Sequence, residues 1–244
     1  MSAPRLAYAC FMLLAIGAFV LAQRLLPRNP EVARLSFGQR MALGLAAFIG
    51  GTLGAKLPFV LVAPNGIIAW EAWFTDGKTI VAGLIGAYIA VEVTKLATGI
   101  RAKTGDSFAV PLAFAMAVGR WGCFCNGCCY GVPTDLPWAV SFEQRDGSVA
   151  LCHPTQIYES IFHLTMAGVL VWLTLSDRLP RQRLKLYLIS YGVYRFLTEF
   201  IRPEPQWVLG MTFYQWAALV LIAGLAIQWQ FDRRPGPISL AAAI

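Results

Sequence analysis

The sequence predicts an all-α membrane protein, a polytopic bundle of about seven transmembrane helices, and three observations carry that prediction. Hydrophobic residues fill 57% of the 244 positions and charged residues only 14%, against about a quarter charged in an ordinary soluble domain. Apolar stretches recur near the ~20 residues that a helix needs to cross a hydrocarbon core about 30 Å thick. The basic residues sort by loop instead of spreading evenly along the chain.

The stretches lie near 6–23, 41–63, 79–97, 108–125, 155–176, 186–202 and 212–230. The first, LAYACFMLLAIGAFVLAQ, ends close to Val20-Leu21-Ala22, a faint likeness to a leader-cleavage site. Its long apolar run and the stronger basic cluster behind it make it a first membrane helix instead. The second and third carry Gly50, Gly51, Gly54, Gly83 and Gly86, small surfaces that let helix backbones approach. Glu92 and Lys95 on the third, spaced i, i+3, read as a structural ion pair. A cap of about 30 residues joins the fourth and fifth, rich in turn formers such as Gly131, Pro133, Pro137 and Gly147. No repeat or low-complexity tract interrupts the pattern, so residues 1–244 read as one integral membrane domain.

The net charge of +7 has a topological origin. Arg24, Arg28, Arg34 and Arg40 fill the first loop, Arg101 and Lys103 the third, Arg178, Arg181, Arg183 and Lys185 the fifth, and Arg233 and Arg234 the tail. The alternate loops hold Arg5, Lys78 and Arg145. An excess of Lys and Arg marks the cytoplasmic side, which places the N-terminus outside and the C-terminus in the cytoplasm. Nucleic acid is not needed to explain the charge.

Two arginines fall inside apolar stretches, Arg120 in AFAMAVGRWGCFCNGCCYG and Arg195 in LISYGVYRFLTEFIR. Burying a guanidinium at membrane depth costs about 2.5–3.5 kcal/mol on insertion scales, so such a residue points to function. At 1.5 Å per residue, Arg120 sits about 18 Å and Arg195 about 14 Å from the cytoplasmic face, a shared level. Tyr191, Arg195, Glu199 and Arg202, at i, i+4, i+8 and i+11, fall within one sector of about 80°. Glu159 lies about 6 Å below the outer surface at the start of the fifth helix, with His153 at its mouth. The stripe is either a set of ion pairs, Arg195 and Arg202 each with Glu199, or an anion site. Arg120 has no obvious partner in sequence, and planar guanidinium grips phosphate through two parallel hydrogen bonds. At that depth the available phosphates are lipid headgroups.

Cys123, Cys125, Cys128, Cys129 and Cys152 gather after the fourth helix, leaving Cys10 apart. Three readings stay open. Cys125 and Cys128, with Cys152 or His153, have spacing that suits zinc; Cys152 pairs with one of the cluster in an oxidising compartment; or the thiols pack as small hydrophobes.

GRWGCFCNGCCYG (Gly119 to Gly131), HPTQIYE (His153 to Glu159) and YGVYRFLTEFIRP (Tyr191 to Pro203), in that order, resemble the bacterial prolipoprotein diacylglyceryl transferases over roughly residues 41–225. The resemblance implies a multi-pass inner-membrane enzyme that moves diacylglycerol from phosphatidylglycerol to the thiol of a lipobox cysteine in a preprolipoprotein. Glycerol phosphate is released, and no cofactor is implied. Arg120 and Arg195 match the family's essential arginines on the donor phosphate. Tyr191, Glu199 and Arg202 match positions on the same helix face, and Asn126 and Gly131 match the turn after the fourth helix.

The departures fall in the half that would activate the acceptor. Where the family usually reads GRxGNFxNxExxG, this chain has Cys123 for the Asn and Cys128 for the Glu. The histidine expected before Gly-Gly-Leu is absent from Val81-Ala82-Gly83-Leu84, and Thr52 stands where an Arg is common. Two alternatives follow: transfer of a lipid-derived group to another acceptor, or a non-catalytic metal or redox protein using the Cys123 to Cys129 cluster.

Overall fold

The computed structural model describes residues 3–27, 29–61, 73, 79–144, 146–206 and 208–233, and each predicted apolar stretch is helical within them. The long helices are α1 (Ala3–Leu25), α3 (Phe37–Leu61), α4 (Ile80–Thr98), α5 (Asp106–Cys125), α6 (Thr155–Leu175), α7 (Arg183–Thr198) and α8 (Phe213–Arg233), with a single turn, α2 (Pro30–Ala33), after α1. Five of them, α1, α3, α4, α5 and α6, are long and apolar enough to cross a membrane. Helix α7 has 16 residues, about 24 Å.

α1 packs on α5, α5 on α6, α3 on α4 and α7 on α8. The α3–α4 contact is made by the predicted glycines. A Cβ on Gly83 would lie 3.2 Å from Ala55 Cβ, and one on Gly86 would lie 2.9 Å from the Gly54 Cα. Backbones that close leave no room for a side chain between them. The buried centre joins Val81, Ala113, Leu170, Tyr187, Leu188 and Leu221. Large apolar side chains such as Leu13, Phe48, Leu96 and Trp172 face outward, as lipid-facing surfaces require.

Two expectations are corrected. The cap between the fourth and fifth membrane helices contains an antiparallel hairpin, β1 (Val140–Glu143) and β2 (Val149–Cys152), paired Val140 to Cys152 and Glu143 to Val149. The sequence signal is the Asp146-Gly147 turn between short strands; Gly147 takes φ +81 and Ser148 N donates to Asp146 Oδ1 at 3.0 Å. The stripe helix also ends early: Glu199–Ile201 form a 3-10 turn and Arg202 is extended. Pro203 follows Arg202, and a residue before proline is driven out of the helical region.

At one end, where α5 and α7 begin, charged groups link the loops. Arg181 meets Glu31 at 2.8 Å, Lys103 and Lys185 both meet Asp232, and Arg183 reaches Asp177 at 3.1 Å. Lys103 N donates to Glu31 Oε2 at 2.7 Å, and this bond first, then Arg181, holds the Glu31 carboxyl below its usual range. Glu92 and Lys95 form the predicted pair at 2.9 Å. Arg28, Lys78, Arg145, Arg234 and residues 62 and 63 of the second stretch lie outside the described residues.

Candidate active site

The opposite end, where α5 and α7 finish and α6 and α8 start, holds a buried polar cluster. Helix α6 contributes Gln156, Glu159, Ser160 and His163 at i, i+3, i+4 and i+7, one face of a helix. Helix α7 contributes Tyr187, Tyr191 and Arg195 at four-residue spacing, and α5 contributes Arg120. Glu159 joins the three. Its Oε1 lies 2.5 Å from Arg120 Nη2 and accepts from Tyr191 Oη at 2.6 Å. His163 Nε2 stands 3.7 Å away, beyond hydrogen-bond reach, while His163 Nδ1 pairs with Tyr187 Oη at 2.8 Å.

One turn beyond Tyr191, Arg195 Nη2 donates to Glu199 Oε2 at 2.8 Å, and Glu199 Oε1 accepts from Thr212 Oγ1 at 3.1 Å. The Arg195 guanidinium also lies over the Tyr214 ring at 5.5 Å, a cation–π contact. Arg120 and Arg195 are 6% and 5% exposed, and Glu159 is 1% exposed.

Arg120 is therefore not partnerless: Glu159, 39 positions along the chain, pairs with it. The Arg195–Glu199 pair of the sequence reading is present. Arg202, on extended backbone, meets Glu204 at 3.7 Å instead of Glu199. The pairs leave donors over. Arg120 Nε and Arg202 Nε are buried without a hydrogen-bond partner, although a guanidinium offers five N–H groups.

The loop after α5 is fixed by its cap. Gly127 N donates to Phe124 O and Cys128 N to Cys123 O, both at 3.1 Å, with Gly127 at φ +66. That pair of bonds is a Schellman ending, which brings the third-last helical residue against the second residue past the cap. Here those residues are Cys123 and Cys128. Asn126 is the cap itself and is exposed. Thr155 Oγ1 and Gln156 Nε2 then donate to the carbonyls of Cys129 and Cys128, each at 2.6 Å. Gly131 fills a space that excludes any side chain: a Cβ there would lie 2.6 Å from Ile201 O and 2.8 Å from His153 Cβ. His153 reaches Tyr158 Oη at 3.3 Å.

All six cysteines are free thiols. The set that converges differs from the one its spacing suggested: Cys125 is exposed and Cys152 is buried in β2, whereas the Sγ atoms of Cys123, Cys128 and Cys129 all lie within 4.8 Å of one another. Cys129 adopts φ +66, uncommon for a residue with a Cβ. The Cys128 thiol donates to the Cys123 carbonyl at 3.6 Å.

Sequence reasoning passed over His163, Tyr187, Gln156 and Ser160. The signal was available in TQIYESIFH, where His163 follows Glu159 by four residues on an apolar helix. Val81, at the position where a histidine was expected, is 1% exposed within the apolar core.

A helical bundle with an apolar exterior and a cluster of arginines, carboxylates and phenols buried at one end is a polytopic membrane protein with an intramembrane polar site. A sequence model of the family described as prolipoprotein diacylglyceryl transferase matches residues 5–230. Relatives named phosphatidylglycerol–prolipoprotein diacylglyceryl transferase include one from Clostridium tetani, 36% identical over 67% of this chain and 68% of its own. Another, from Bordetella avium, is 31% identical over 89% and 86%. A third, from Pseudomonas syringae pv. syringae, is 30% identical over 97% and 92%. The chain belongs to the prolipoprotein diacylglyceryl transferase family. It is a multi-pass inner-membrane transferase of lipoprotein biosynthesis.

Proposed function

We propose that this protein transfers the diacylglyceryl group of phosphatidylglycerol to the thiol of a lipobox cysteine, with Arg120 and Arg195 on the donor phosphate. The observation that carries the roles is the pair of buried guanidiniums from α5 and α7, each tied to a carboxylate through Nη2, with Arg120 Nε left unpaired. Glu159 and Glu199 hold the forks in place, and the spare N–H groups suit phosphate oxygens. Attack by a thiolate on the glycerol carbon breaks its bond to the phosphate oxygen and leaves glycerol phosphate with a second negative charge. Positioned guanidiniums stabilise that growing charge in a site shielded from water. Tyr191 fixes Glu159, and Arg202, Asn126, Gly131 and His153 shape the entrance from the outer leaflet. The loop charges orient the N-terminus outward and the C-terminus to the cytoplasm.

The test uses purified protein, labelled phosphatidylglycerol and a lipobox peptide. Arg120→Ala and Arg195→Ala should each lower transfer by about 100- to 1,000-fold, and modification by both variants as fast as by the unmutated protein would overturn the assignment of the arginines. A second reading keeps the donor and changes the acceptor, favoured by the burial of Val81 where a base was expected. Mass spectrometry of cellular adducts separates the two: a diacylglyceryl group on a small thiol, amine or hydroxyl in place of lipoprotein cysteine supports the second.

A further inference from the structure

We propose that Cys123, Cys128 and Cys129 form a three-thiolate zinc site whose open fourth position binds and ionises the acceptor thiol; this rests on the transferase reading above. The three Sγ atoms lie within 4.8 Å of one another, and none is in a disulfide. A tetrahedral site with zinc–sulfur bonds of about 2.3 Å spaces its sulfurs about 3.8 Å apart, so side-chain rotation closes the set on the ion. The backbone already holds the required turn. The Schellman bonds bring Cys128 beside Cys123, the left-handed Cys129 turns the third sulfur inward, and Thr155 and Gln156 pin the carbonyls of Cys129 and Cys128. Thiolates select zinc over the hard cations, and three protein ligands with one position free is the arrangement of a catalytic zinc rather than a structural one.

The location gives the site its use. Cys123 is one helical turn from Arg120 on α5, so the thiols gather at the same helix end as the guanidinium assigned to the donor phosphate. Zinc with three thiolates carries one net negative charge, which the Arg120 guanidinium one turn away helps to offset. All three cysteines are half-buried, which leaves the fourth position reachable, while Cys125 is exposed and outside the set.

The step balances as follows. The acceptor R–SH takes the fourth position and releases its proton to water, since a zinc-coordinated thiol is deprotonated. Its sulfur attacks the glycerol carbon of the donor, the carbon–oxygen bond breaks, and the electron pair stays on the phosphate oxygen beside Arg120. The thioether formed is neutral and a weak ligand, so it leaves. No electrons are exchanged with any third party. Two departures of this chain thus have one explanation: cysteines occupy Asn and Glu positions of the family motif, and the base expected at Val81 is replaced by metal activation.

The experiment uses the full chain purified with phosphatidylglycerol. Elemental analysis should find about one zinc per chain, retained in Cys10→Ser and lost in Cys123→Ser and Cys129→Ser. In unmutated protein loaded with Co²⁺, the thiolate-to-cobalt charge-transfer band should shift when a lipobox peptide is added and stay unchanged with its Ser analogue. Stripping the metal should slow transfer by about 100-fold, the scale of losing an activating base, and zinc should restore it. Metal-free protein that transfers at the full rate, copper or iron in place of zinc, or a cobalt band indifferent to the peptide thiol each overturns the zinc role and leaves the transferase reading intact. A peptide-sensitive cobalt band with no lipid adduct under any metal condition overturns the transfer reading on which the role depends.

Discussion

The two polar ends of the bundle use the same residue types to opposite effect. At the end where α5 and α7 begin, cations distribute their donors over several acceptors: Arg183 uses Nε on Arg178 O and Nη2 on Asp177, and Lys185 reaches both Gln182 and Asp232. Arg183 and Lys185 are as buried as the arginines of the other end, at 8% and 5% exposed, although one partner, Asp177, is 89% exposed at its side chain. At the end where those helices finish, Arg120 and Arg195 are deeply buried and each is tied to one carboxylate through Nη2, with Arg120 Nε unpaired. Charges that staple loops together use up their donors. Charges that await a ligand stay desolvated with donors to spare, at a cost that packing alone does not justify.

The strongest way to break that comparison is to remove a spare donor. Arg120→Ala should lower transfer by about 100- to 1,000-fold, the scale of losing a transition-state donor at about 2.7–4 kcal/mol. Arg120→Lys should remain well below wild type, because a point charge does not reproduce the fork; recovery to the full rate would show that charge alone suffices. Glu159→Gln should destabilise the detergent-solubilised protein by about 3–5 kcal/mol, since it leaves Arg120 buried without its counter-charge. Adding Arg120→Gln to it should restore much of the thermal stability and none of the transfer, which separates holding the site from using it. Gly131→Ala should cost about 1–3 kcal/mol by forcing a methyl against Ile201 O and His153.

At the opposite end effects should be small. Asp232→Asn should lower stability by about 1 kcal/mol, read as thermal unfolding, with transfer unchanged within about two-fold. Glu31 supplies the pH test. Its pKa is lowered in the folded protein, so its contribution is present above the ordinary carboxylate range and is lost as pH falls through the folded value. Glu31→Gln should flatten that acid limb of the stability curve slightly, and an identical limb in the variant would deny Glu31 any part in it.

Most of the fold was legible because hydrophobic length is a strong signal: all seven long helices fall on the predicted stretches within a few residues. The stapled α3–α4 contact was legible too, since glycines at spaced positions have few other uses in an apolar helix. The early end of α7 was written in Arg202-Pro203, but a helical wheel carried through that point hid it. Arg120 found its carboxylate in Glu159 on a different helix, a tertiary fact that no local spacing encodes. The cysteine set failed for a related reason. Pairing Cys125 with Cys128 assumes a loop, whereas the helix runs through Cys125 and its cap brings Cys123 to Cys128.

The shortness of α7 has a consequence for the surrounding lipid. Sixteen residues span about 24 Å against a hydrocarbon layer of about 30 Å, and the chain leaves the helix through the turn at Glu199–Ile201. A bilayer meeting a short hydrophobic wall thins toward it. On that mismatch, headgroups beside α7 are expected to ride lower than in the bulk leaflet, closer to the level of Arg195. Acyl-chain length in reconstituted vesicles should then tune access to the site, with thick bilayers the poorest solvent for this protein.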